Sequence, residues 1–127
     1  MKTTRVVLAD DHLVVRTCLK QALEKVPGIE VVGEASNGVE AIHIVNQFAP
    51  DVLLLDMEMP VLNGVEVARE LYASNSPVRI LALSAYDDPY YKNELLSNGA
   101  AGYLTKDEAL DCVVEAIYKA TGTGSAN

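Results

Sequence analysis

Val52–Leu55, VLLL, is four large apolar residues in a row, and the run stops on a carboxylate, Asp56. A stretch this short and this uniformly apolar fits a strand buried on both faces, as in a parallel sheet. Four comparable runs lie outward from it: Arg5–Ala9 (RVVLA), Ile29–Gly33 (IEVVG), Val78–Leu83 (VRILAL) and Ala101–Leu104 (AGYL). Apolar residues recur at helical spacing between and after these runs. The first set is Val15, Leu19, Ala22 and Val26, the second Ile42, Val45 and Phe48, the third Leu62, Val65, Ala68 and Leu71, and the last Leu110, Val113, Val114 and Ile117. Asn37 and Glu40 have capping-box spacing, and Asn98-Gly99 reads as a helix end passing into the fifth strand. Five βα units in succession predict a doubly wound α/β domain with helices on both faces of a parallel sheet.

The chain has 127 residues, enough for one sizeable core and short for two. Ten Lys+Arg against eighteen Asp+Glu give a formal net charge of −8, which repels nucleic acid, so no direct nucleic-acid binding by this chain is expected. No apolar run approaches the ~20 residues of a membrane span, and the start reaches Asp10 before any signal-peptide core forms. A cytoplasmic protein that does not enter a membrane is expected. Cys18 and Cys112 have no Cys or His at metal spacing, so they read as reduced, partly buried thiols. Thr121–Asn127 (TGTGSAN) is small and polar. It reads as a flexible end or linker start, with 122–127 lying outside the domain.

In an open parallel sheet, ligands bind beyond the carboxyl ends of the strands. Strand one ends in Asp10-Asp11-His12, strand three in Asp56, strand four in Ser84, and strand five just before Thr105-Lys106. Each Asp alone could be a helix cap. Three at strand ends point instead to a shared acidic site that a hard divalent cation would relieve, and Mg²⁺ suits it because it leaves room for phosphate oxygens. An isolated Lys106 would be an ordinary surface lysine. Placed beside this edge, its ammonium and the Ser84 hydroxyl can meet phosphoryl oxygens. Mutual repulsion of the three carboxylates implies that Asp11→Asn should stabilise the metal-free fold.

With LADDH (8–12), LLLDMEMPVLNG (53–64), LALSAY (81–86) and GYLTK (102–106), the chain resembles the receiver domain of bacterial two-component response regulators from residue 1 to about 121. The resemblance implies a flavodoxin-like (βα)₅ sheet of order 2-1-3-4-5, with Asp56 as phosphoacceptor. It further implies Asp11 as a direct Mg²⁺ ligand, Asp10 as one acting mainly through water, and the Glu58 backbone carbonyl as a third protein ligand beside Asp56. Ser84 would be the switch hydroxyl, Tyr103 the switch aromatic, and Lys106 the residue holding the phosphoryl group. The donor would be a sensor histidine kinase, and the chemistry would stay on the protein's own aspartate rather than turn over a substrate. SNG and GAAGYLTKD resemble receivers that precede a helix-turn-helix (LuxR-type) output domain, hence transcription regulation.

Phosphorylation is then expected to promote homodimerisation or partner binding through the last two βα units. Five of the six tyrosines fall there: Tyr86, Tyr90, Tyr91, Tyr103 and Tyr118. Many receivers have Pro after the lysine; here Asp107 follows. It is expected to cap the last helix, and the isomer of the Lys106–Asp107 bond stays open. A dehalogenase-type phosphatase would need a second Asp where Glu58 stands. A flavodoxin-like flavin carrier would need a phosphate loop where Asp10-Asp11-His12 repels phosphate. A receiver-like module that never accepts phosphate is disfavoured by intact Asp11, Asp56, Ser84 and Lys106.

Overall fold

The structure is a computed structural model that describes residues 3–85 and 87–122, with only the backbone described at Leu110 and Asp111. Tyr86, the Leu110 side chain and residues 123–127 of the expected tail therefore lie outside the described residues. Five strands, β1 (Thr4–Ala9), β2 (Ile29–Ala35), β3 (Val52–Asp56), β4 (Arg79–Ser84) and β5 (Gly102–Thr105), alternate with five helices. These are α1 (Leu13–Glu24), α2 (Gly38–Phe48), α3 (Gly64–Ala73), α4 (Pro89–Ser97) and α5 (Lys106–Thr121). All strand pairs are parallel, in the order β2-β1-β3-β4-β5.

Because successive side chains in a strand point to opposite faces, each central strand feeds two cores. Val6, Leu8, Val52, Leu54, Leu81 and Leu83 meet Leu19 and Leu23 of α1 and Val113 and Ile117 of α5. Val7, Leu53, Leu55, Ile80 and Ala82 meet α2, α3 and α4 through Val45, Leu71 and Leu95. Every residue of β3 is buried. The strand order reverses between β1 and β3, so the ends of these two strands, Asp10 and Asp56, open onto the crevice where such sheets bind ligands.

Helix ends differ from the sequence reading in instructive ways. Val26 and Leu62 lie outside α1 and α3; Pro27 disfavours helix at the residue before it. At α2, Asn37 Oδ1 accepts from Glu40 N, but the Glu40 carboxylate reaches Ser36 N at 2.7 Å rather than closing a box on Asn37. Complete capping boxes occur at Asn63/Glu66 and Thr105/Glu108. Thr105, not Asp107, is therefore the cap of α5. Thr105 keeps extended backbone and accepts from Glu108 N, leaving Asp107 in the first turn. The Lys106–Asp107 bond is trans. Cys18 and Cys112 are free but exposed, contrary to the partly buried reading, because each lies outside its helix's core-facing residues. Asn98-Gly99 ends α4 as expected, with Gly99 at φ +80°.

Gly64 opens α3 beneath the end of β3. A Cβ there would lie 2.9 Å from both Asp56 O and Met57 Cα, backbone atoms that cannot swing aside. Gly64→Ala is expected to destabilise the fold by about 2 kcal/mol, measured by denaturant unfolding, because the overpacking falls on backbone.

Candidate functional site

The site is built on strand ends. Asp10 (1% exposed) follows β1 and Asp56 (0%) ends β3, while Asp11 is exposed. Lys106, the first residue of α5, bridges them: its Nζ is 3.2 Å from Asp56 Oδ1 and 3.3 Å from Asp10 Oδ2. Backbone amides orient both carboxylates, with Glu58 N donating to Asp56 Oδ1 (3.1 Å) and His12 N to Asp10 Oδ1 (2.8 Å). On the other side, Arg16 donates to Asp10 O at 2.6 Å and to Glu34 Oε1 at 2.9 Å, pinning the end of β1 to α1 and β2.

Asp56 carries the electrostatic burden of this pocket. Burial first, then the Asp10 carboxylate, push its carboxyl up from 3.8 to about 7, outweighing the Glu58 amide and Lys106. Burial pulls Lys106 down, but the charges of Asp56 and Asp10 outweigh it and hold the ammonium above its usual value. The Asp11 side chain is one-third exposed, so water screens it, whereas the buried Asp10 is the carboxylate that raises Asp56 most. The strongest repulsion is thus between Asp10 and Asp56, and the larger stabilisation on neutralising one carboxylate is expected at Asp56.

One ligand atom from each of Asp10, Asp11, His12 and Asp56 lies within 4.8 Å of the others. Oδ2 of Asp56 and Oδ2 of Asp10 are buried without a hydrogen-bond partner, the latter having only the Lys106 ion pair. Buried anionic oxygens left unpaired are costly, and a hard divalent cation would satisfy them, so the residues fit Mg²⁺.

Ser84 is buried at the end of β4 and donates to Glu58 Oε2 at 3.1 Å, while Ala85 N donates to Glu58 Oε1 at 3.3 Å. The sequence reading gave Glu58 only a backbone role; its carboxylate also ties the end of β4 to the β3–α3 loop. Tyr103 is half-buried against the α2–α4 core, and its hydroxyl accepts from Asp88 N at 3.3 Å. Val61, a β-branched residue at φ +72°, strains the same loop, a position no sequence signal marks. Of the other tyrosines, Tyr90 is 66% exposed, and Tyr91 and Tyr118 pack half-buried on opposite cores.

Residues 6–118 match the response regulator receiver domain, and the chain belongs to that family. It is 38% identical over 122 residues to the transcriptional regulatory protein DegU of Brevibacillus brevis, covering 96% of this chain and 51% of DegU. With the response regulator UvrY of Escherichia coli (strain K12) it shares 41% identity over 112 residues, 88% of this chain and 51% of UvrY. A two-component response regulator of the LuxR family from Aurantimonas sp. SI85-9A1 superposes with a TM-score of 0.90 at 29% identity, covering 97% of this chain and 88% of that one. The chain thus spans about half the length of the curated relatives it matches. Receiver domains are phosphorylated by sensor histidine kinases and bind Mg²⁺ at an acidic pocket, and this chain carries such a cluster. None of its described helices is long and apolar enough to cross a membrane.

Proposed function

We propose that this chain accepts a phosphoryl group on Asp56 from the phosphohistidine of a sensor kinase and passes the signal to a transcriptional output. The observation that carries the reading is Lys106 set between buried Asp56 and Asp10, with a second Asp56 oxygen left unpaired. An Asp56 oxygen forms the new bond to phosphorus while the bond from phosphorus to the donor's imidazole nitrogen breaks, and that nitrogen leaves with the electron pair. Such transfer is mainly positioning and charge neutralisation. Asp10, Asp11, Asp56 and the Glu58 carbonyl would hold Mg²⁺, which neutralises phosphoryl oxygens when bound. Lys106 supplies a fixed positive charge from the opposite helix. The chemistry stays on the protein's own side chain, with no separate substrate turned over.

Switching requires a bistable element that the phosphoryl group biases. To reach a phosphoryl oxygen Ser84 must leave Glu58, and for Tyr103 to turn inward it must give up the Asp88 amide. The surface that changes is the one formed by the last two βα units, which would carry phosphorylation-dependent homodimerisation or partner binding. The relatives DegU and UvrY, each about twice as long as this chain, support an output segment in the whole protein.

The test is metal dependence. Incubation with Mg²⁺ and a small acyl phosphate is expected to add one phosphoryl group per chain by intact mass, and chelation to prevent it. Mg²⁺ alone should raise the melting temperature progressively once its concentration passes the Kd. Phosphorylation at full rate in excess chelator would refute the metal-assisted reading.

A further inference from the structure

His12 caps α1 by position, yet its side chain makes no cap hydrogen bond. Instead Nδ1 lies 3.2 Å from Asp10 Oδ1, 3.3 Å from Asp11 Oδ1 and 3.3 Å from Lys106 Nζ. One ring nitrogen cannot satisfy all three neighbours. An N–H there serves the carboxylates but opposes the ammonium, and a lone pair serves the ammonium but opposes the carboxylates. A divalent cation would make the nitrogen and the oxygens ligands of one charge, with Lys106 left to its ion pairs with Asp56 Oδ1 and Asp10 Oδ2. The unpartnered, fully buried Asp56 Oδ2 independently calls for such a charge.

The three carboxylate oxygens suit Mg²⁺, which takes oxygen ligands, but an imidazole nitrogen adds little for that ion. An imidazole suits borderline first-row ions, whose affinity for nitrogen-bearing sites rises towards the end of the series. The His12 side chain is 60% exposed, so its ring can turn onto a cation without repacking the core. Building on the divalent-cation reading above, we propose that His12 is a further metal ligand, which adds affinity for borderline cations such as Co²⁺, Ni²⁺ or Zn²⁺ while the carboxylates still accept Mg²⁺.

Titrating the full chain with Co²⁺ and, separately, Mg²⁺ tests this. Co²⁺ is expected to bind at least about 100-fold more tightly than Mg²⁺, and the Co²⁺ form to show one hyperfine-shifted imidazole N–H proton resonance. In His12→Gln that resonance should vanish, with Co²⁺ weakened at least about tenfold and Mg²⁺ by less than about threefold. The other histidine, His43, is exposed on α2, and His43→Gln should change none of these. Unchanged Co²⁺ affinity in His12→Gln, or equal losses for both metals, overturns the assignment while leaving the acidic site intact. A wild-type chain that binds neither metal overturns the divalent-cation reading as well.

Discussion

Replacing Asp56 with Asn is expected to lower phosphoryl incorporation from a small acyl phosphate by at least about 100-fold, with the site otherwise intact. An amide is no nucleophile here, and no neighbouring acid stands in for it. Asp10 is held by the His12 amide and by Lys106, and Asp11 lies on the exposed rim. The Asn side-chain oxygen can still accept from Glu58 N, so the β3–α3 loop has reason to keep its shape. Incorporation is measured by intact mass before and after neutral hydroxylamine, which cleaves an acyl phosphate and spares a phosphoserine or phosphothreonine.

The same substitution should stabilise the metal-free protein, and only above a certain pH. Asp56 titrates near 3.8 when exposed and at about 7 in the folded pocket. Between those values the folded chain holds a proton that the unfolded chain has lost, so stability falls as pH rises through this window. The stability from keeping Asp56 protonated is complete below about 3.8 and gone above about 7. Lys106 does not offset the slope there, because its raised value keeps it charged throughout. Allowing for water at the pocket rim, Asp56→Asn is expected to gain about 2 kcal/mol at pH 8 and close to nothing at pH 4. Denaturant unfolding at the two pH values measures the difference. A loss of stability at pH 8 would mean that burial and Asp10 do not burden Asp56 as the geometry implies.

Much of this site is legible in the sequence for a simple reason: strand ends are set by where apolar runs stop. VLLL stopping at Asp56 and RVVLA stopping at Asp10 place two carboxylates on one edge once both strands are parallel neighbours. Lys106 follows from the fifth run in the same way. Less legible are features made by side chains meeting across loops. Nothing in the spacing of Glu58 and Ser84, 26 residues apart, announces their hydrogen bond. Similarly, the contact of His12 with Lys106 spans 94 residues and depends on α5 starting at the same edge of the sheet where β1 ends. Helix starts are decided by competition between neighbouring caps: at α5 Thr105 prevails over Asp107 because Glu108 closes the box on it. The division of charge among the three aspartates needs burial, which composition does not give; it separates the exposed Asp11 from the two buried carboxylates that repel most strongly.

The most direct measurement is to locate the phosphoryl group. The wild-type chain, incubated with Mg²⁺ and a small acyl phosphate, is reduced with borohydride to mark the acyl phosphate and then cleaved and sequenced by mass spectrometry. The label is expected on Asp56 alone, with Asp10 and Asp11 unmodified, since Asp56 is the carboxylate paired with Lys106 whose second oxygen is left without a partner. Label on Asp10 or Asp11, or on Asp56→Asn protein at the wild-type level, would contradict the assignment.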